Sequence, residues 1–250
     1  MAERLGARPR PTGMPVRVLG TLLVLPLLLA ACGDVGGSGA GSSASPSAST
    51  WACRASATPV SVTRADLDGD GSLDEVSFTP ASGNCPASLD SSVQGLRAGL
   101  VLDWDLAPAG APATAVRVPG RSGDLVLLLE EHPRGGFQAH LYGFAEGRLG
   151  ELTVHDQPVF PFVATDVLSH PIAATCVDGG FEVTEGRAHE PIGVVPAWDV
   201  FRTTYRVDGN AVTKGVTTEV ADNVLDRDFR VTYPELVRNA LFENCRVGPQ

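Results

Sequence analysis

Asp66, Asp68, Asp70 and Asp74 stand at positions 1, 3, 5 and 9 of one short segment, Asp66-Leu67-Asp68-Gly69-Asp70-Gly71-Ser72-Leu73-Asp74. Carboxylates at alternating places in a tight loop can turn their oxygens toward a common centre. Calcium takes six to eight oxygen ligands, including a backbone carbonyl near position 7 of such a loop. Ser72 occupies that position, and Gly69 and Gly71 permit the turn. An all-oxygen set disfavours zinc and copper, and magnesium keeps more of its water, so calcium is the expected ion. The expected ligands are Asp66, Asp68, Asp70, Ser72 and Asp74. Without a cation these carboxylates, with Glu75 beside them, repel one another. The loop contains no histidine and no nucleophile, so a structural ion is expected.

The elements around the loop are strands, not helices. Val60-Ser61-Val62-Thr63 and Val76-Ser77-Phe78-Thr79 alternate apolar with polar, the period of a half-buried strand. Position 12 is Ser77, where a calcium loop between two helices needs a bidentate glutamate. The segment instead resembles the calcium hairpin of FG-GAP and VCBS-type repeats. Their pattern D-x-D-x-D-G-x-x-D is matched by Asp66, Asp68, Asp70, Gly71 and Asp74. The resemblance implies a calcium site in a β protein. It covers about twenty residues and occurs once, whereas propellers of that family repeat the motif in each blade.

Other candidate chemistry is sparse. The histidines are His132, His140, His155, His170 and His189, and no two have the close spacing of a metal pair on one element. Glu130, Glu131, His132 and His140 can approach one another across a hairpin at Gly135-Gly136, but a solvated loop tip accounts for them equally well. No serine lies in a G-x-S-x-G pattern. Asp103-Trp104-Asp105 can bind sugar by stacking and hydrogen bonding, or anchor a strand end in the core. No catalytic residue is assigned.

The start of the chain reads as an address. Arg4, Arg8, Arg10 and Arg17 precede an apolar run of 12 residues, Val18 to Leu29, which is interrupted by Pro26. A helix needs about 20 apolar residues to cross a bilayer, so this run is a secretory signal and not a span. Leu29-Ala30-Ala31-Cys32 closes it and resembles the lipobox of bacterial lipoproteins. That resemblance implies cleavage after residue 31, lipid on Cys32 and a place on the outer side of the cell membrane. Each buried methylene contributes about 0.8 kcal/mol, so two or three acyl chains hold a protein firmly.

Removing residues 1–31 takes away four arginines and Glu3 and leaves a net charge of −13. Such a surface repels phosphate backbones, which excludes nucleic acid as an expected partner. Gly33 to Thr50 is almost wholly Gly, Ser and Ala, so residues 32–50 are expected to form a disordered tether. Residues 51–250 are long enough for one well-filled domain. Four cysteines remain besides Cys32. Outside the cytoplasm an even set implies disulfides, and the long, irregular spacings lack the close pairs of a zinc site. Nearly equal arms flank the acidic loop, which pairs Cys53 with Cys85 and leaves Cys176 for Cys245.

Strand signals recur along the domain. They cover Leu100 to Trp104, Asp124 to Leu129, Phe137 to Phe144, Leu149 to Val154, Cys176-Val177, Phe181 to Val183, Val200 to Val207 and Ala211 to Val220. Asp178-Gly179-Gly180 and Asp208-Gly209-Asn210 read as tight turns. One helix is expected over Pro234 to Glu243, where Leu236, Val237, Ala240 and Leu241 share a face. The expected fold is all-β: antiparallel sheets, as a sandwich, a barrel or a small propeller-like array, with a short C-terminal helix. The expected role is binding or scaffolding of an envelope protein or glycan. A hydrolase acting on envelope polymers is the alternative.

Overall fold

The alternating segments on either side of the acidic loop form the first two strands of a meander. The computed structural model describes residues 58–102, 113–131, 136–160, 170–189 and 197–247. Within them β1 (Ser61–Ala65), β2 (Asp74–Thr79), β3 (Ala87–Val93) and β4 (Leu96–Leu102) make a four-stranded antiparallel sheet in chain order. A second sheet of four, also in chain order, holds β5 (Thr114–Val116), β6 (Leu125–Glu131), β7 (Phe137–Ala145) and β8 (Arg148–Glu151). The third contains β11 (Ile172–Val177), β12 (Gly180–Ala188), β13 (Ala197–Asp208) and β14 (Ala211–Leu225). The short strands β9 (Thr153–Val154) and β10 (Gln157–Pro158) extend this sheet beyond β14. The protein is therefore all-β and antiparallel in its main pairings, as the alternation predicts.

The second sheet is the central layer. Strand residues point alternately to the two faces of a sheet. Val126, Leu128 and Tyr142 pack against Val76, Phe78 and Leu89 of the first sheet. Leu125, Leu127, Ala139 and Leu141 belong to the core shared with Phe181, Val183 and Tyr205 of the third. This explains the unbroken apolar run of β6, which is covered on both sides. The three antiparallel sheets thus share two apolar cores, one on each side of the second sheet. All the described residues fall in one compact unit.

The far face of the third sheet is covered by α1 (Asp226–Thr232) and α2 (Pro234–Val237). Trp198 stacks on Phe229 with ring centroids 4.7 Å apart, and its indole N–H donates to Asp226. The helix expected over Pro234 to Glu243 is thus corrected. It stops at Val237, because Asn239 and Phe242 take left-handed backbone angles (φ 49° and 57°). Phe242 then turns inward, fully buried edge-on to Phe160 and Phe181. The strand expected over Leu149 to Val154 is broken at Leu152; β4 is described as far as Leu102, and the rest of the strand expected to reach Trp104, with Asp103-Trp104-Asp105, lies outside the described residues.

The C-terminal segment ties the second and third sheets together. Ala174 donates to the Ala240 carbonyl at 2.9 Å, and Phe242 donates back to Ala174 at 2.7 Å. Further along, Arg117 donates to Cys245 and Val247 to Ala115, each at 2.9 Å. Cys176 and Cys245 form the expected disulfide. Cys85 is also disulfide-bonded, and the partner expected for it, Cys53, lies outside the described residues together with Cys32.

Candidate metal-binding loop

The acidic segment connects β1 to β2 and is folded by its own side chains. Asp68 accepts the Asp70 N–H at 3.2 Å, and Asp70 accepts the Ser72 N–H at 2.6 Å. Asp66 Oδ2 reaches across the loop to the Gly71 N–H at 3.2 Å. These short-range bonds turn the loop so that carboxylate oxygens of Asp66, Asp68 and Asp70 all lie within 4.8 Å of one another. Three of the expected ligands are therefore together. Asp74 stands outside that set and is buried, with its Oδ2 accepting the Leu67 N–H at 3.0 Å. Ser72 is exposed at the loop surface.

The electrostatics of the loop favour a cation. Burial pushes the Asp74 carboxyl above the usual carboxylate range, and the charges of Asp68, Asp70 and Asp66 add to the effect against the opposing Leu67 hydrogen bond. Asp66 Oδ1 is buried and has no hydrogen-bond partner. A buried, unsatisfied carboxylate oxygen costs free energy that a bound ion offsets. Both observations fit a hard divalent cation held by Asp66, Asp68 and Asp70.

The loop is fixed from outside by residues that sequence reading did not select. Asp124, in the loop between β5 and β6, is 1% exposed. It accepts the Asp66 N–H at 3.0 Å and a two-pronged bond from Arg117 at 2.8 and 3.0 Å, while its own N–H donates to the Asp66 carbonyl at 2.6 Å. The two loops interlock closely. A Cβ at Gly123 would collide with the Leu67 carbonyl, and one at Gly69 with Ser122. Gln94, in the turn between β3 and β4, donates to Asp68 at 2.7 Å. No local pattern announces these partners, because they lie 26 to 58 residues away in the chain.

Beside the loop is a cavity of about 450 Å³. Its lining includes Asp68, Arg121, Phe144, Glu146 and Asp208, contributed by strand ends and loops of all three sheets. Burial lowers the Arg121 guanidinium from its usual value. Its terminal nitrogens donate to the backbone carbonyls of Ser122, Gly123 and Gly209, and its Nε is buried without a partner.

The other expected cluster forms in part, at the opposite end of the second sheet. His140 is buried, with Nε2 3.2 Å from Glu130 and Nδ1 2.8 Å from Glu151. Glu131 is exposed, and His132 lies outside the described residues. Glu151 is the partner that the hairpin arithmetic missed; it enters from β8, opposite Tyr142 of β7.

No family model, curated protein or solved structure matches this chain. Among the described residues, no helix is long and apolar enough to cross a membrane.

Proposed function

We propose that the chain is a lipid-anchored protein of the bacterial cell envelope. Its β domain binds one calcium ion and presents a binding face beside it. The observation that carries the calcium reading is the convergence of Asp66, Asp68 and Asp70 around a buried, unpartnered Asp66 oxygen. The match to the FG-GAP and VCBS hairpin pattern supports the same ion. Titration calorimetry should find one calcium site with an affinity on the order of 10⁻⁶ to 10⁻³ M, the range of weaker sensors and extracellular modules. Asp68→Ala with Asp70→Ala should remove it. A site that survives both changes contradicts the reading.

Two features favour a binding module over a hydrolase. The cavity beside the ion loop lies within the size range of small-ligand sites and combines an aromatic ring with donors and acceptors, which suits a glycan or an envelope protein segment. By contrast, the carboxylates that the second sheet brings together, Glu130 and Glu151, are both hydrogen-bonded to His140. A hydrolytic pair needs one carboxyl group available to protonate the leaving group.

The anchor rests on the Leu-Ala-Ala-Cys segment. Cys32→Ser should move the protein from the membrane to the soluble fraction, because the tether offers no other apolar anchor. Fractionation and immunoblotting decide this. A mutant that stays tightly membrane-bound contradicts lipid attachment at Cys32.

A further inference from the structure

A second set of ligating side chains lies on the third sheet. His189 follows the end of β12, Asp199 is on β13 and Asp222 is on β14, so two neighbouring strands and the residue just past a third each contribute one group. His189 Nε2 is 2.7 Å from Asp199 Oδ1 and 3.6 Å from Asp222 Oδ1. One ligand atom from each residue lies within 4.8 Å of the other two.

The strand register brings them together. Trp198 pairs with Val224 and Val200 with Ala221, so Asp222 and Asn223 both stand opposite Asp199. Such a bulge re-aims side chains that regular alternation would send to opposite faces. Asn223 takes a left-handed angle (φ 52°) there, and its N–H donates to Asp199 Oδ1 at 2.9 Å. The result is two carboxylates side by side that share one imidazole. Arg187, directly across from Asp199, is the neighbouring cation, and it is engaged elsewhere. Its guanidinium lies 4.4 Å from the centre of the Phe201 ring and pairs with Glu185.

We propose that His189, Asp199 and Asp222 form a binding site for a first-row transition metal, zinc above all. The ligand chemistry separates it from the acidic loop. One imidazole and two carboxylates suit zinc, whereas calcium and magnesium prefer oxygen alone. His189 is 43% exposed and Asp222 71%, so an ion can enter from solvent. Three protein ligands leave a coordination position for water or for a group on a partner, the pattern of open zinc sites.

The test is zinc titration of the full-length protein in excess calcium, which keeps the acidic loop filled. One zinc per chain is expected. His189→Ala and Asp222→Asn should each weaken it by about tenfold or more. Asp68→Ala with Asp70→Ala should leave it unchanged, and excess magnesium should not compete. Both tested residues of the triad are on the surface, and unchanged circular dichroism confirms that the variants fold. The proposal is overturned if no zinc binds at about 1 mM, if binding is indifferent to both triad substitutions, or if it disappears with the loop variant instead.

Discussion

Asp124→Ala is expected to destabilise the domain by about 2–4 kcal/mol. Hydrogen bonds to charged groups contribute roughly 1.5–3 kcal/mol, and a buried donor left unpaired costs about 1–3. The substitution removes the acceptor of the Asp66 N–H and of Arg117 together. Breaking a fully buried ion pair costs about 3–5 kcal/mol. The Arg117 side chain is 56% exposed and regains water, which lowers the expected loss to about 2–4 kcal/mol. Asp124→Asn should cost about half as much, because an amide oxygen still accepts one N–H. Calcium affinity should fall as well, since Asp124 fixes the Asp66 backbone in the loop. Urea denaturation with and without calcium checks both effects. A loss under about 0.5 kcal/mol, the scale of an ordinary surface change, contradicts the role of Asp124 as the link between the first two sheets.

Removing the Cys176–Cys245 disulfide with paired alanines should cost about 4 kcal/mol. The bridge closes a loop with a sequence separation of 69, and chain-entropy arguments give about 3 kcal/mol for 15 residues and 4.7 for 100. At about 2–4 °C per kcal/mol for a domain of this size, the melting temperature should drop by roughly 8–16 °C. The loss should concentrate in the C-terminal segment. Hydrogen exchange should accelerate at Phe242 and Val247, whose N–H groups bind Ala174 and Ala115. Uniform exchange with an unchanged melting point contradicts the view that this segment clasps two sheets through the disulfide.

The sequence reveals those parts of the fold whose cause is local. β1, β2 and β7 show the two-residue alternation, and the Asp-Gly turns mark the hairpins of the third sheet. β3 is hidden because its strand, Ala-Ser-Leu-Asp-Ser-Ser-Val, is small and polar, although Ser88 and Ser91 are buried. β5 is only three residues long. α1 is rich in charge, and packing against Trp198 and Val200 of the third sheet and Leu236 of α2 makes Phe229 a core residue. Apolar spacing extends the last helix too far because Phe242 is drawn into an aromatic cluster assembled by strands far away in the chain. The candidate sites divide in the same way. Asp66, Asp68 and Asp70 are legible from spacing because one loop carries them all. Asp124, Gln94 and the His189, Asp199 and Asp222 set are not, because pairing between distant strands and a bulge in β14 bring them together.

The most direct test of the central claim is the melting curve with calcium and with chelator. An ion that binds the folded loop and not the unfolded chain stabilises by mass action, about 2.7 kcal/mol at one hundred times the dissociation constant. That corresponds to a rise of roughly 5–11 °C. The wild-type chain should show the rise, and Asp68→Ala with Asp70→Ala should melt at one temperature in both buffers. A wild-type curve that is the same in calcium and in chelator would show that the Asp66–Asp74 loop holds no calcium.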